Sequence, residues 1–277
     1  MADLTTPSGT VAAGDPGEPP VQVDRLDHTL VITLNRPAAM NAVNAAVAVA
    51  VAEALQAADA DAGVRAVVVT GAGDRAFCAG ADLKAVARGE TIIPAGYERF
   101  GFAGYVSHFV SKPTIAAVRG FALGGGTEIA LASDLVIAGK SASFGLPEVK
   151  RGIYAGAGGA FRLPEQLPWK VALELLFTGD SIDADTAARY GLVNRVVPDA
   201  DVLAEALALA GRIAANAPLS LQTSKRLAYG AVDGTVAADA PRWEHNARES
   251  AALMASADAK EGPTAFAEKR TPVWQGQ

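Results

Sequence analysis

With 277 residues, 50% of them hydrophobic, the chain can bury a large core as one big domain or as one domain with a small appendage. A formal net charge of -6 opposes general attraction to nucleic acid or to an anionic membrane, and charged residues, glycines and prolines cut every apolar run short of the ~18 residues that a membrane span needs. The single cysteine, Cys78, excludes a disulfide within the chain and fits a reducing compartment, which makes the cytoplasm the expected location.

Residues 1–20, ending in Gly14-Asp15-Pro16-Gly17-Glu18-Pro19-Pro20, lack the basic start and apolar stretch of a secretion signal and are expected to be a disordered lead-in. The β-branched text from His28 to Leu34, stopped by Asn35-Arg36-Pro37, predicts a strand. A helix from about Asn44 to Asp59 follows, Ala-rich with Val47, Val51 and Leu55 at helical spacing, and then a strand from Arg65 to Thr70. A loop from Gly71 to Ala81 leads into an irregular region rich in aromatics, Tyr97 to Phe109, which Lys112-Pro113 ends. Next come a strand from Thr114 to Val118, three glycines, a helix beginning near Thr127 with Glu128 in its first turn, and a strand from Leu135 to Ala138. Beyond Pro164 only Leu192 to Val197 reads as a strand, among Ala- and Leu-rich helical stretches. The alternation predicts an α/β core over residues 21–205 with mostly crossover connections, and a helical C-terminal region over residues 206–277.

Two glycine-bearing segments can carry chemistry. Gly124-Gly125-Gly126 before Thr127-Glu128 lets the backbone pass close to a ligand and leaves N–H groups unpaired at a helix start, where they can hold an anion, although a plain packing turn would read the same way. Donors of this kind, aimed at an oxygen that gains charge during reaction in a dry site, are worth about 3 kcal/mol each. The segment Ala76-Phe77-Cys78-Ala79-Gly80-Ala81-Asp82-Leu83 leaves its strand with small residues and could supply a second donor.

These segments, together with Asn35-Arg36-Pro37, Lys112-Pro113, Phe144-Gly145-Leu146-Pro147-Glu148, Gly156-Ala157-Gly158-Gly159 and Phe266-Ala267-Glu268-Lys269-Arg270, resemble the enoyl-CoA hydratase/isomerase (crotonase) superfamily from about His28 to the end of the chain. The resemblance implies a spiral of strand-strand-helix units with a helical C-terminal region that builds homo-oligomers, trimers or hexamers. It implies oxyanion-hole amides at Ala81 and Gly125, a coenzyme A channel lined by Ala79 and by Ala81, Asp82, Leu83 and Lys84, and Phe266 and Lys269 lent to that site by a neighbouring subunit. It also implies an acyl-CoA substrate whose coenzyme A needs no further cofactor. Glutamate at both acidic positions, Glu128 and Glu148, matches the hydratases. Hydration must deliver hydroxide to the β-carbon and a proton to the α-carbon, and two carboxyl groups gripping one water can do both. Crowded in an apolar pocket, they should titrate as a coupled pair.

The alternative within the fold is double-bond isomerisation, which needs one carboxylate; a different class is an RNA-binding or non-catalytic scaffold, which the acidic balance disfavours. Ile153-Tyr154-Ala155-Gly156 stands where many hydratases read Ile-Pro-Gly, so the acyl pocket is altered, with Tyr154 as wall or as a substrate hydrogen bond, and Phe161 replaces a residue commonly polar. Gly71-Ala72-Gly73 only imitates a dinucleotide loop, because no amphipathic helix begins after it. Cys78 reads as core, and His28, His108 and His245 are too scattered to bind a metal. Arg36, Lys84 and Lys269 are candidates for the phosphates of coenzyme A. Acyl type, whether fatty, branched, aromatic or steroidal, stays open.

Overall fold

The computed structural model describes residues 18–277. Most of the expected lead-in thus lies outside the described residues, and its last part is tied down: the Asn35 N–H donates to the Pro20 carbonyl, and Glu18 accepts from the side chains of Gln22 and Asn35.

In chain order the elements are β1 (Val21–Leu26), β2 (Thr29–Leu34), α1 (Ala45–Ala60), β3 (Ala66–Gly71), β4 (Ala76–Cys78), α2 (Leu83–Ala87), β5 (Thr114–Val118), β6 (Phe121–Leu123), α3 (Gly125–Ala132), β7 (Leu135–Gly139) and β8 (Ser143–Gly145). A 3-10 turn over Pro147–Arg151 precedes α4 (Gly159–Gln166), α5 (Trp169–Thr178), β9 (Ser181–Asp183), α6 (Ala184–Arg189) and β10 (Arg195–Val197). The C-terminal part holds α7 (Val202–Ala214), α8 (Pro218–Tyr229), α9 (Ala240–Met254) and α10 (Ala257–Ala267).

Two sheets organise these pieces. The larger runs in the order β1-β2-β3-β5-β7-β10, parallel from β2 onward, and the smaller runs β4-β6-β8-β9, parallel except for its last pair. β3, β5 and β7 of the first sheet are each followed by a short strand in the second and then by a helix, which is the strand-strand-helix spiral. The long strands read as continuous apolar text because both faces are covered. Val67 and Val69 join the main core with α1, whereas Ala66 and Val68, with Ile115 and Ile137, meet Val202, Ala206 and Ala210 of α7 on the opposite face.

The strands predicted over residues 28–34, 65–70, 114–118 and 135–138 and α1 lie where expected to within a residue or two, the strand predicted from Leu192 begins only at Arg195, and Asn44 caps α1 by accepting from the Val47 N–H at 3.1 Å. Departures fall on β1, whose mostly exposed residues Val21–Leu26 carry no predicted strand, and on the short strands. The expected loop from Gly71 to Ala81 contains β4, β6 and β8 pass unannounced, and the stretch beyond Pro164 holds β9 besides β10. Strands of three residues are too short for a period-2 pattern to show. The helix expected near Thr127 begins at Gly125, since a glycine at a helix start leaves no side-chain cap to read.

The C-terminal helices are fastened to the core by a buried polar knot. Asp134, at the entry to β7, accepts from the Thr114 N–H, the Thr114 hydroxyl, Lys225 Nζ at 2.6 Å and the Tyr229 hydroxyl at 2.8 Å. Among the described residues no single helix is long and apolar enough to cross a membrane, and no cluster of three or more His, Cys, Asp or Glu residues could hold a metal ion. Asp134→Ala leaves the Lys225 ammonium buried without its partner, so the folded state should lose about 3–5 kcal/mol. The urea unfolding midpoint measures this, and an unchanged midpoint would show the knot to be dispensable.

Candidate active site

Neighbouring parallel strands of one sheet end at the same edge, so the residues that follow β4, β6 and β8 are brought side by side. Those residues are Ala79 to Ala81, Gly124-Gly125 and Leu146 to Glu148. The approach leaves no room for side chains: a Cβ on Gly80 would lie 3.2 Å from the Leu123 carbonyl and 3.3 Å from the Gly125 nitrogen. One on Gly124, whose φ is +54°, would lie 2.8 Å from Glu148 Oε1. The three-glycine run is therefore demanded by contact with the neighbouring loops as well as by the turn.

Glu128 is 3% exposed, in the first turn of α3. Thr127 holds that turn in register, its hydroxyl donating to the Ala122 carbonyl at 2.6 Å and accepting the Gly145 N–H at 3.0 Å, and so ties α3 to β6 and β8. From the far side the Gly159 N–H, first in α4, donates to Glu128 Oε1 at 2.8 Å. A Cβ on Gly159 would sit 3.0 Å from that oxygen, so the glycine admits the contact. Glu148 begins the 3-10 turn after Pro147, and its Oε2 is buried with no hydrogen-bond partner among the described residues. Burial pushes the pKa of both carboxyls well up, and for Glu128 the neighbouring Glu148 charge pushes it further. Such a pair favours a state with one shared proton, which can both take a proton from water and give one away.

Beside them stand two backbone donors. Ala81 forms a parallel bridge with Val43 through the Val43 N–H to the Gly80 carbonyl and the Asp82 N–H to the Val43 carbonyl, which turns the Ala81 N–H the other way. Among the described residues it has no acceptor, and the Gly125 N–H, at the start of α3, has no partner within its helix. An oxygen gaining negative charge could be held between them.

Not every predicted binding residue is free for a ligand. Asp82 caps α2 through the Lys84 and Ala85 N–H groups and pairs with Arg36 at 2.8 Å, so both ions serve the loop itself. Leu83 and Lys84 are exposed at its rim, next to Ala79 and Ala81. Phe266 lies on Arg151 of its own chain, 4.0 Å from guanidinium carbon to ring centre, where α10 rests against the turn that carries Glu148. Lys269 is exposed and forms no ion pair among the described residues. Cys78 is core, its thiol pushed up to about 12 chiefly by burial, hence inert.

A cavity of about 990 Å3 is lined by Phe102, Gly156, Ala157 and Arg162 and, from α9, by Trp243 and Asn246; the glutamates are not in its wall, but Ala157 and the Arg162 charge both act on Glu128. Phe102 packs against Gly125. The aromatic region expected to be mainly core is divided: Phe100 and Tyr105 are buried yet line this cavity, and Tyr97 hydrogen-bonds Glu53. Tyr154 is wall, since its hydroxyl donates to the Asn246 carbonyl at 2.7 Å while Asn246 Nδ2 donates back to the Gly156 carbonyl at 2.9 Å. Phe161 makes an edge-on contact with Trp243 at 5.0 Å, which explains an aromatic at that position. Gly159, Arg162 and the α9 residues were not foreseen; only the glycine pair at Gly158-Gly159 gave a signal, and nothing in linear order links α9 to a loop some ninety residues away.

The Enoyl-CoA hydratase/isomerase family model matches residues 26–277. The chain belongs to this family. It is 41% identical over 251 residues to a carnitinyl-CoA dehydratase of Salmonella typhi, covering 90% of this chain and 95% of that protein. Among solved structures, a carnitinyl-CoA hydratase from Mycobacterium avium superposes with a TM-score of 0.92 at 61% identity, and an enoyl-CoA hydratase from Mycobacterium tuberculosis H37Rv with 0.73 at 44%; each covers 94% of this chain and 100% of the other. Hydratase and dehydratase name one hydro-lyase reaction run in opposite directions.

Two outcomes follow from the site's electrostatics. A carboxyl whose folded pKa lies above its unfolded value binds more protons when folded, so its contribution to stability falls as pH rises from about 4.3 through the raised value. Glu148→Gln should therefore stabilise the protein at pH 8, by about 1 kcal/mol, and this advantage should shrink to nothing near pH 4; thermal unfolding across that range reads the difference. Tyr154→Phe removes a hydroxyl spent on a backbone carbonyl, so it should cost about 1 kcal/mol of stability with little change in kcat.

Proposed function

We propose that this family member adds water reversibly across the double bond of a 2-enoyl-CoA to give a 3-hydroxyacyl-CoA. The observation that carries the reading is the pair of buried carboxyls whose charges interact, beside two backbone N–H groups that have no acceptor among the described residues. With the thioester oxygen between the Ala81 and Gly125 N–H groups, the carbonyl is polarised and the β-carbon becomes electrophilic. Glu128 and Glu148 hold one water. The ionised member takes a proton as hydroxide bonds to the β-carbon; the protonated member gives its proton to the α-carbon, and the pair ends with the same proton count. The reverse sequence dehydrates.

Ala79, Ala81, Leu83 and Lys84 fit the mouth of a coenzyme A channel, with Asp82 capping α2 beside them. Phe266 and Lys269 are proposed coenzyme A contacts lent across a subunit boundary in a homo-oligomer, trimer or hexamer, for which exposed Trp169, Phe177, Leu219 and Leu227 offer apolar surface. No cofactor beyond the coenzyme A of the substrate enters the reaction, and a sole reduced cysteine suits the cytoplasm.

Isomerisation needs one carboxylate and leaves the second buried charge without a task, which favours hydration. Purified protein should bleach the absorbance of a conjugated 2-enoyl thioester and yield the 3-hydroxy product, whereas a product that is only a shifted alkene would reject hydration. Glu128→Gln and Glu148→Gln should each lower kcat by about 100- to 10,000-fold with ligand affinity largely kept. Retained turnover in either variant removes that residue from the mechanism.

A further inference from the structure

The hydratase reading accounts for the double bond and leaves the rest of the acyl group undescribed. An acyl chain that extends past the glutamates toward Ala157 meets the large cavity, whose wall includes Phe102, Gly156 and Ala157, Arg162 of α4 and Trp243 of α9. Its wall holds several buried ions. Lys225 is paired with Asp134 at 2.6 Å, and Asp59 accepts both the N–H and the hydroxyl of Ser111.

Arg162 is served less well. A guanidinium has five N–H donors, yet the ion partner found is Asp239, 3.5 Å from Nη2, and Asp239 is shared with Arg242 at the same distance. Nη1 is buried with no hydrogen-bond partner among the described residues. The group is positioned by aromatic contacts, its central carbon 5.4 Å from the ring centres of both Phe161 and Trp243. Burial works against its charge, and the charge in turn is felt by Glu128. His108 lines the same cavity with Nδ1 also buried and unpartnered. A buried cation short of acceptors is costly by itself and becomes favourable once an oxygen anion completes its hydrogen bonds.

We propose that Arg162 determines acyl specificity: its guanidinium donates to a carboxylate at the far end of the acyl group, so that the preferred substrate is a 2-enoyl-CoA whose chain ends in an acid. This rests on the hydratase reading and adds a substrate class to it. The aromatic rings then hold the guanidinium in place while the apolar wall accepts the chain's methylenes. A cationic chain end meets repulsion there, and a methyl end leaves the donors unsatisfied.

The test compares kcat/KM for three 2-enoyl-CoA thioesters of equal length ending in a carboxylate, a methyl or a trimethylammonium group, with the wild-type protein, Arg162→Met and Arg162→Lys. The wild type should prefer the carboxylate by about tenfold or more, chiefly through KM; Arg162→Met should erase that preference and Arg162→Lys restore part of it. Wild-type preference for the methyl or ammonium substrate overturns the inference without touching the hydratase reading. A carboxylate preference that survives in Arg162→Met overturns the role of Arg162. Hydration of none of the three by the wild type overturns the hydratase reading itself. Should Arg162→Met fail to fold, the wild-type ranking and the Lys variant decide.

Discussion

Two carboxyl groups buried within reach of each other's charge are what the surrounding structure has to support. In a medium of low polarity an ionised carboxylate is costly, and a second one beside it costs more. Glu128 and Glu148 tolerate this because the fold supplies partial compensation: the Gly159 N–H on one oxygen, the positive potential at the start of α3, and a guanidinium farther along α4. The compensation is incomplete, and both groups remain reluctant to ionise. A fully neutralised pair would be more stable and unable to pass a proton at neutral pH.

The same economy appears in the backbone. The residues after β4, β6 and β8 meet because parallel neighbours end together, and glycine is needed at Gly80, Gly124 and Gly159 because any larger residue would meet a carbonyl, a nitrogen or a carboxylate oxygen. The Ala81 and Gly125 N–H groups have no acceptor among the described residues: the spiral uses the bridge between Val43 and Ala81 to fix one side of the loop and leaves the other side facing the site. Local order is set by small anchors around this gap, including Thr127 between β6 and β8 and Asp82 at the start of α2.

The helical C-terminal region takes part in this arrangement as well. α9 reaches back to the Tyr154 to Gly156 turn through reciprocal hydrogen bonds and places Trp243 against α4, while α10 rests on the turn that carries Glu148. Elements far from the glutamates in the chain therefore shape the cavity lined by Phe102, Arg162 and Trp243. The Asp134 knot with Lys225 and Tyr229 holds α8 to the sheet and so fixes where that wall stands.

Sequence alone determined what local composition can encode. The strands β2, β3, β5 and β7 were legible because each is an apolar run buried on both faces, α1 because its apolar residues recur at helical spacing, and the two glutamates because each follows a glycine- or proline-marked turn in a pattern shared with a family. Only the tertiary structure decided what depends on distant residues meeting. The three-residue strands β4, β6 and β8 have too few positions for a period, yet their alignment creates the donor pair. The hydroxyl of Tyr154 could have faced a substrate until the Asn246 carbonyl was found to occupy it. Arg36 read as a candidate for the coenzyme A phosphates and Asp82 as lining of a coenzyme A channel until they were found holding each other. The under-paired guanidinium of Arg162 has no linear signature at all, because a missing partner is a property of three-dimensional surroundings and not of the order of residues.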